Sequence, residues 1–414
     1  MQAWPHPDIP KIPDAAPQPV RVHDSSTKEL VTVGPESGTA RLYVCGITPY
    51  DATHMGHANT YVTFDLLYRQ WLDAGIEVNY VQNITDIDDP LLERANATGV
   101  DWRELADSQI ELFRGDMTAL GVIPPAHYIG AVEGIPLVLE ALDQIPQDML
   151  YQVEGEYRDW YFTAPRVSDF GDVAGLDHDA QIATFAERGG DPERPGKRDP
   201  LDTLVWQLER PGEPSWPGGD RGRGRPGWHI ECTAIAHEYL GANIDVQGGG
   251  SDLAFPHHEM SAAQSHALTG EPFAKAYVHG GMVGLDGEKM SKSKGNLVKV
   301  SELRAEGVDP RAVRLGLLAH HYRGDWSWSA EVLAAAKQRL STWQRAIMAG
   351  SGPVGADTLD AMRQTLRADL DAPTALAAVD AWAESALAGD GDDASAPALI
   401  ADAVHALLGV DLRA

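Results

Sequence analysis

The stretch from Thr39 to Thr85 most constrains what this chain can fold into. It opens on the apolar run TARLYVCGI (39–47), which reads as a buried strand. ANTYVTFDLLYRQWLDAG (58–75) then places apolar residues at helical spacing and ends on glycine, and IEVNYVQNIT (76–85) reads as a second strand. Strand, helix and strand in that order predict a right-handed βαβ unit and a parallel sheet, because parallel neighbours need a crossover element between them. A further helix is expected over 101–122. Residues 123–200 change character: pieces of MLYQVEGEYRDWYF look like hairpin strands and ERGGDPERPGKRDPLD (187–202) is turn-rich, as in an insertion between two halves of a sheet. The parallel pattern is expected to resume with TLVWQ, then GWHIECTAIAHEYLG, NIDVQGGGSDL and AKAYVHGGMVG. From Ser329 the chain reads as nearly all helical. The expected organisation is an extended strap over 1–38, half of an α/β core over 39–122 and the insertion over 123–200. The second half of the core follows over 201–286, a lysine-loop junction over 287–330 and a small helical bundle over 331–414.

Charge and composition narrow the function. The formal net charge of −28 weighs against a partner that must be gripped through many phosphates. No apolar run is long enough to span a bilayer. The start, MQAWPHPDIPKIPDAAPQP, lacks the basic and apolar regions of a signal peptide. With only Cys45 and Cys232 there is no disulfide framework. A cytoplasmic protein without nucleic acid or membrane partners is expected.

Cys45 stands shortly before His54-Met55-Gly56-His57, and a cysteine there could be a redox thiol, a buried small hydrophobe or a metal ligand. The HMGH turn itself lies between the first strand and the first helix, where open parallel sheets bind ligands. Gly56 allows close backbone approach, His54 and His57 can donate to phosphate oxygens, and the helix N-terminus adds partial positive charge. A bland reading is a helix entry with incidental histidines. KMSKS (289–293) shifts the balance: Lys289 and Lys292 beside hydroxyls such as Ser291 suit a clamp on a triphosphate whose pyrophosphate leaves.

These signatures resemble those of the class I aminoacyl-tRNA synthetases, and within them the cysteine-activating branch. The matching stretches are YVCGITPYDATHMGHA, NITDIDD, KRDPLDTLVW, PGEPSWP, GRGRPGWHIECTAIA, GGGSDLAFPHHE and KMSKSKGN. The resemblance implies a Rossmann-type core with a connective insertion, ATP with Mg²⁺, and an aminoacyl adenylate. It also implies one Zn²⁺ held by Cys45, Cys232 and His257. Two thiolates and an imidazole form a sound zinc shell, and an open fourth corner would take the substrate's thiol in preference to a serine hydroxyl. The family often has a carboxylate ligand where this chain has Ser261, so three protein ligands are expected. The same resemblance puts Gly46, Ile47, Thr48, Thr60, Asn83, Ile84 and Thr85 around the adenylate and Trp228 on the cysteine side. Gly250, Ser251 and Asp252 would meet the ribose, and the Val283 backbone the adenine. A core or turn role is the alternative for each.

The tail changes the acceptor. After KMSKS little more than a junction and one small bundle remain, and over 331–414 acidic side chains outnumber basic ones two to one. That is poor for gripping an RNA stem. The chain is similar over its whole length to the mycothiol-pathway cysteine ligases, which share ERGGDP (Glu187, Arg188, Gly189, Gly190, Asp191, Pro192) and TDIDDP. The resemblance implies L-cysteine activated by ATP and transferred to the amine of glucosaminyl-inositol; a monomer is expected, though the sequence itself leaves the oligomeric state open. A cysteinyl-tRNA synthetase without its anticodon-binding domain is the alternative; a non-catalytic zinc- and nucleotide-binding paralogue is opposed by the intact HMGH and KMSKS. Asp86, Asp88 and His229 are candidates for a general base, and composition assigns ERGGDP no chemistry.

Overall fold

The structure, a computed structural model, describes residues 1–13, 18–51, 53–290 and 296–414, and of Lys289 the backbone alone. Five parallel strands form its centre: β1 (Thr39–Val44), β2 (Glu77–Ile84), β3 (His127–Gly130), β4 (Val246–Gly250) and β5 (Tyr277–Gly280), in the spatial order β5-β4-β1-β2-β3. The order reverses between β1 and β4, which opens a crevice outside their carboxyl ends. Leu42, Val44, Val246 and Val278 are all buried, as expected of strands covered on both faces.

Helix α1 (Met55–Asp73) crosses from β1 to β2 as the spacing predicts. It begins where His54 caps it: the imidazole Nδ1 accepts from the backbone N–H groups of Gly56 and His57 at 3.1 and 3.4 Å. It stops at Gly75, whose φ of +76° suits glycine. Two further helices carry site residues, α2 (Trp228–Leu240) and α3 (Glu259–Thr269).

The insertion is a four-stranded antiparallel sheet of Leu150–Gln152, Trp160–Phe162, Thr203–Leu208 and Gly224–Pro226, in that order. TLVWQ therefore belongs to this sheet and not to the parallel one, which resumes only at β4. The parallel strand β3, conversely, lies in the stretch read as insertion. A short apolar run looks alike in either sheet, because its partner is set by distant chain. The N-terminal segment is not wholly extended either: Val20–His23 and Leu30–Val33 pair as an antiparallel hairpin.

Four helices, Ala330–Ala346, Gly355–Leu366, Ala372–Ala388 and Ala396–Leu408, end the chain. They share one hydrophobic core with the sheet, running from Leu42 and Leu67 through Leu315 to Trp382 and Leu407. A fully buried ion cluster ties the two together. Asp65 on α1 accepts from Arg69 Nε at 2.7 Å and pairs with Arg314. Arg69 also donates to the carbonyls of His405 and Ala406, and Arg314 to those of Leu408 and Leu120. Among the described residues no helix is long and apolar enough to cross a membrane.

Candidate active site and metal centre

The crevice at the carboxyl ends of β1, β2, β4 and β5 gathers most of the residues singled out from the sequence. Cys45 follows β1 directly, and after it the chain is stitched to the end of β2. Gly46 N–H donates to Asn83 Oδ1 at 2.8 Å, Thr85 N–H donates to the Ile47 carbonyl at 3.0 Å, and Asn83 Nδ2 donates to Thr85 Oγ1 at 3.2 Å. A Cβ on Gly46 would lie 1.7 Å from the Asn83 carbonyl oxygen, so only glycine fits there. Thr48 donates to Asp88 Oδ2 at 2.8 Å. Thr60, on α1, sits beside Gly250 at the end of β4, within ordinary contact distance of the space a Cβ there would fill. Gly250 leads into the turn carrying Ser251 and Asp252. Val283, buried, opens the short strand Val283–Leu285 just past β5.

His54 and His57 stack with ring centroids 3.7 Å apart at the start of α1. Because the cap occupies Nδ1 of His54 as an acceptor, the proton of the neutral ring sits on Nε2. The HMGH turn is bound to the chain just beyond the lysine loop: His54 bridges to Lys299, Met55 N–H donates to the Val298 carbonyl, and Val300 N–H to that of Thr53. Lys289 lies in the strand Glu288–Lys289, which pairs with Val283–Leu285. Ser291 and Lys292 lie outside the described residues.

Cys45, Cys232 on α2 and His257 converge, with their donor atoms all within 4.8 Å of one another and each residue buried. Tetrahedral zinc bonded to sulfur at about 2.3 Å and nitrogen at about 2.0 Å sets its ligands roughly 3.4–3.8 Å apart, so modest closure completes the set. Among the described residues this is the one cluster of histidine, cysteine and carboxylate groups fit for a metal ion. His257 Nε2 meets Cys232 Sγ at 3.2 Å while its Nδ1 meets His229 Nδ1 at 2.9 Å, and the Trp228 indole stacks on its ring at 4.4 Å. His258 Nε2 meets Cys45 Sγ at 3.2 Å; behind it His279 and Ser25 continue the chain at 2.8 and 2.7 Å. Burial holds His229 and His258 well below the ordinary histidine range and brings His279 to about 4, so these rings are neutral at physiological pH. Burial resists ionisation of both thiols. The hydrogen bond from Cys45 and the neighbouring His257 nevertheless bring Cys232 well below its ordinary value, and Cys45 is pushed well above its own. One thiolate is thus already favoured where a cation would sit.

Ser261 is buried and its hydroxyl donates to the His229 carbonyl at 3.4 Å. The neighbouring Glu259 points elsewhere, accepting from the N–H groups of Gly171, Val173 and Ala174 at 2.8–3.1 Å. Of the general-base candidates, His229 is committed to His257, and Asp88 caps the helix Asp89–Thr98 by accepting from Leu91 N–H. Burial pushes Asp86 and Asp88 up to about 6, against their backbone hydrogen bonds from Val132 and Leu91.

ERGGDP ends the helix His178–Glu187. Glu187 is exposed, while Asp191 turns away to Lys197 at 3.0 Å and to the Tyr161 hydroxyl. Arg188 alone reaches the crevice, donating to the carbonyls of Asp252 and Phe255.

Comparison with known proteins agrees with this fold. A family described as tRNA synthetases class I (C) catalytic domain matches residues 32–338. Proteins named L-cysteine:1D-myo-inositol 2-amino-2-deoxy-alpha-D-glucopyranoside ligase from Kribbella flavida, Kineococcus radiotolerans and Streptomyces coelicolor are 60%, 59% and 56% identical to the chain, each match covering 100% of both proteins. The chain belongs to this ligase family. Solved relatives of the ligase fold include methionyl-tRNA synthetase of Mycobacterium tuberculosis with methionyl-adenylate (TM-score 0.64, 15% identity, covering 90% of this chain and 92% of that one). A second is the LeuRS of Agrobacterium radiobacter K84 (TM-score 0.66, 12% identity, covering 92% and 84%). At such identities these two speak for the fold, a class I synthetase α/β core, and for nothing finer.

Sequence reasoning missed His258, His279 and Ser25 around the thiols and the reach of Arg188. FPHHE does offer its second histidine as a signal. Ser25 and Arg188 offer none, since both act across long stretches of chain.

Proposed function

We propose that this chain joins L-cysteine to the amine of glucosaminyl-inositol in two steps. The cysteine carboxylate attacks the α-phosphorus of ATP, forming cysteinyl-adenylate and releasing pyrophosphate. The glucosamine amine then attacks the carbonyl carbon, AMP departs, an amide remains, and the amine's proton passes to solvent. The observation that carries this reading is the Cys45, Cys232 and His257 donor set at the head of β1, in a member of the cysteine ligase family.

Zinc, bound by those three residues, would supply a Lewis-acidic corner that prefers a thiolate to a hydroxyl. The protein's own groups do the rest. Trp228 packs against His257 and closes the cysteine side. His54 Nε2 and His57 donate to phosphate oxygens with Lys289 and Lys292, and Mg²⁺ accompanies the triphosphate. Gly46–Thr48, Thr60, Asn83–Thr85, Gly250–Asp252 and the Val283 backbone surround the adenylate. Catalysis is chiefly positioning and charge neutralisation. The enzyme is read as a cytoplasmic monomer, and its negative charge favours a small acceptor over RNA.

The test incubates the purified protein with ATP, L-cysteine and glucosaminyl-inositol. Acceptor-dependent AMP and a cysteinyl amide are expected, together with cysteine-dependent ATP–pyrophosphate exchange. Exchange without acceptor-dependent AMP, accompanied by charging of tRNA with cysteine, would overturn the acceptor assignment.

A further inference from the structure

ERGGDP is the one motif that the proposed chemistry leaves unused, and its geometry gives it work. We infer that Arg188 is a positioning residue: from the insertion it holds the turn 251–257, which presents Asp252 to the ribose and His257 to the metal. The inference rests on the nucleotide and metal roles proposed above.

One guanidinium nitrogen of Arg188 donates to two backbone carbonyls, those of Asp252 and Phe255. The Asp252 carbonyl lies in the single turn Ser251–Leu253, and Phe255 takes an extended conformation (φ −138°, ψ 134°) at the kink where the chain turns toward the helix Glu259–Thr269, so its carbonyl lies outside the regular helical ladder. Asp252 and His257 both lie on this stretch, so its placement sets both at once.

The rest of the motif aims the arginine. Arg188 is the C-cap of the helix His178–Glu187, and its N–H donates to the Thr184 carbonyl. Gly189 takes a φ of +87°, which a side chain would resist. Gly190 lies flat on Phe185, where a Cβ would come within 2.4 Å of the ring. Asp191 is anchored by Lys197, whose ammonium also covers the Phe185 ring at 4.8 Å. The far end of the same stretch is gripped separately, by Glu259 accepting three N–H groups from residues 171–174 of the insertion. The insertion therefore holds the turn from both sides, with Arg188 on the nucleotide side.

The experiment compares Arg188→Ala, Arg188→Lys and the unmodified protein in cysteine-dependent ATP–pyrophosphate exchange and in chelator-competed Zn²⁺ binding. Loss of an outer support of a ligand costs about 10–100-fold in metal affinity. Arg188→Ala should therefore weaken Zn²⁺ by about tenfold and raise the KM for ATP by a similar factor. Added guanidinium should restore part of both, which a role in stability alone would not produce. Arg188→Lys, a compact ammonium in place of a planar fork, should fall between the two proteins, and it carries the test alone if Arg188→Ala fails to fold. A folded variant with unchanged KM for ATP and unchanged Zn²⁺ affinity overturns the inference, as does a lowered melting temperature with neither constant moved. If the unmodified protein shows no exchange, the proposed function fails, while the Zn²⁺ arm still decides whether Arg188 steadies the turn.

Discussion

Replacing Cys232 with alanine separates a metal ligand from a buried small hydrophobe. Cys232 is 1% exposed on α2, and its sulfur meets His257 Nε2 at 3.2 Å. As a packing group it contributes one sulfur's volume, so in metal-free protein Cys232→Ala should cost about 1 kcal/mol, as for a methyl-sized cavity. As a ligand it is one of three. Outer supports of a ligand are worth about 10–100-fold in affinity, so the ligand itself should be worth at least about 100-fold. By mass action, the zinc-loaded protein then loses about 2.7 kcal/mol beyond the packing cost at saturating metal. Urea titrations with and without excess Zn²⁺ read the two contributions apart, and cysteine-dependent exchange should disappear with the metal. A variant that binds Zn²⁺ within threefold of the unmodified protein and keeps its exchange rate would refute the reasoning.

Asp65→Asn leaves the Arg69 and Arg314 guanidinium groups without their buried counter-charge, although their backbone acceptors remain. A loss of about 3–4 kcal/mol in urea unfolding is expected. Burial opposes ionisation of Asp65 but Arg314 and Arg69 outweigh it and hold its carboxyl below the usual range. Its stabilisation is therefore present above pH of about 4 and fades as pH falls through the lower folded value, so the gap between variant and parent should close in acid. Asp86 behaves oppositely: burial raises it to about 6, so the folded state prefers the protonated form and loses stability as pH rises from about 4 to 6. Asp86→Asn keeps an acceptor for Val132 N–H, so denaturant melts should show it gaining about 1–3 kcal/mol on its parent over that range, then holding level.

The βαβ opening was legible because periodicity and order are local: strand, helix and strand emerge within three residues of where spacing puts them. The helical tail was legible for the same reason. TLVWQ was misassigned because pairing is not local: its neighbours in the sheet are Trp160–Phe162 and Gly224–Pro226, and nothing in five letters names them. The donor set came from resemblance, since Cys45, Cys232 and His257 are scattered along the chain and meet only after the sheet forms. Around them, the contact of His279 with Ser25 spans a still longer stretch of chain, and Arg188's carbonyl partners have no side-chain identity to betray them. Local order can be read from letters, whereas contacts to backbone atoms far along the chain cannot.

The arginine cluster under the last helix has a consequence for how the molecule comes apart. Arg69 and Arg314 plug the carbonyl end of Ala396–Leu408, and the hydrophobic interior continues across the joint around this buried ion cluster. The terminal helices are thus no detachable appendage. Heating should melt them and the sheet in a single cooperative transition, and a cut before Ala330 would strand two guanidinium groups in an opened wound at the heart of the protein.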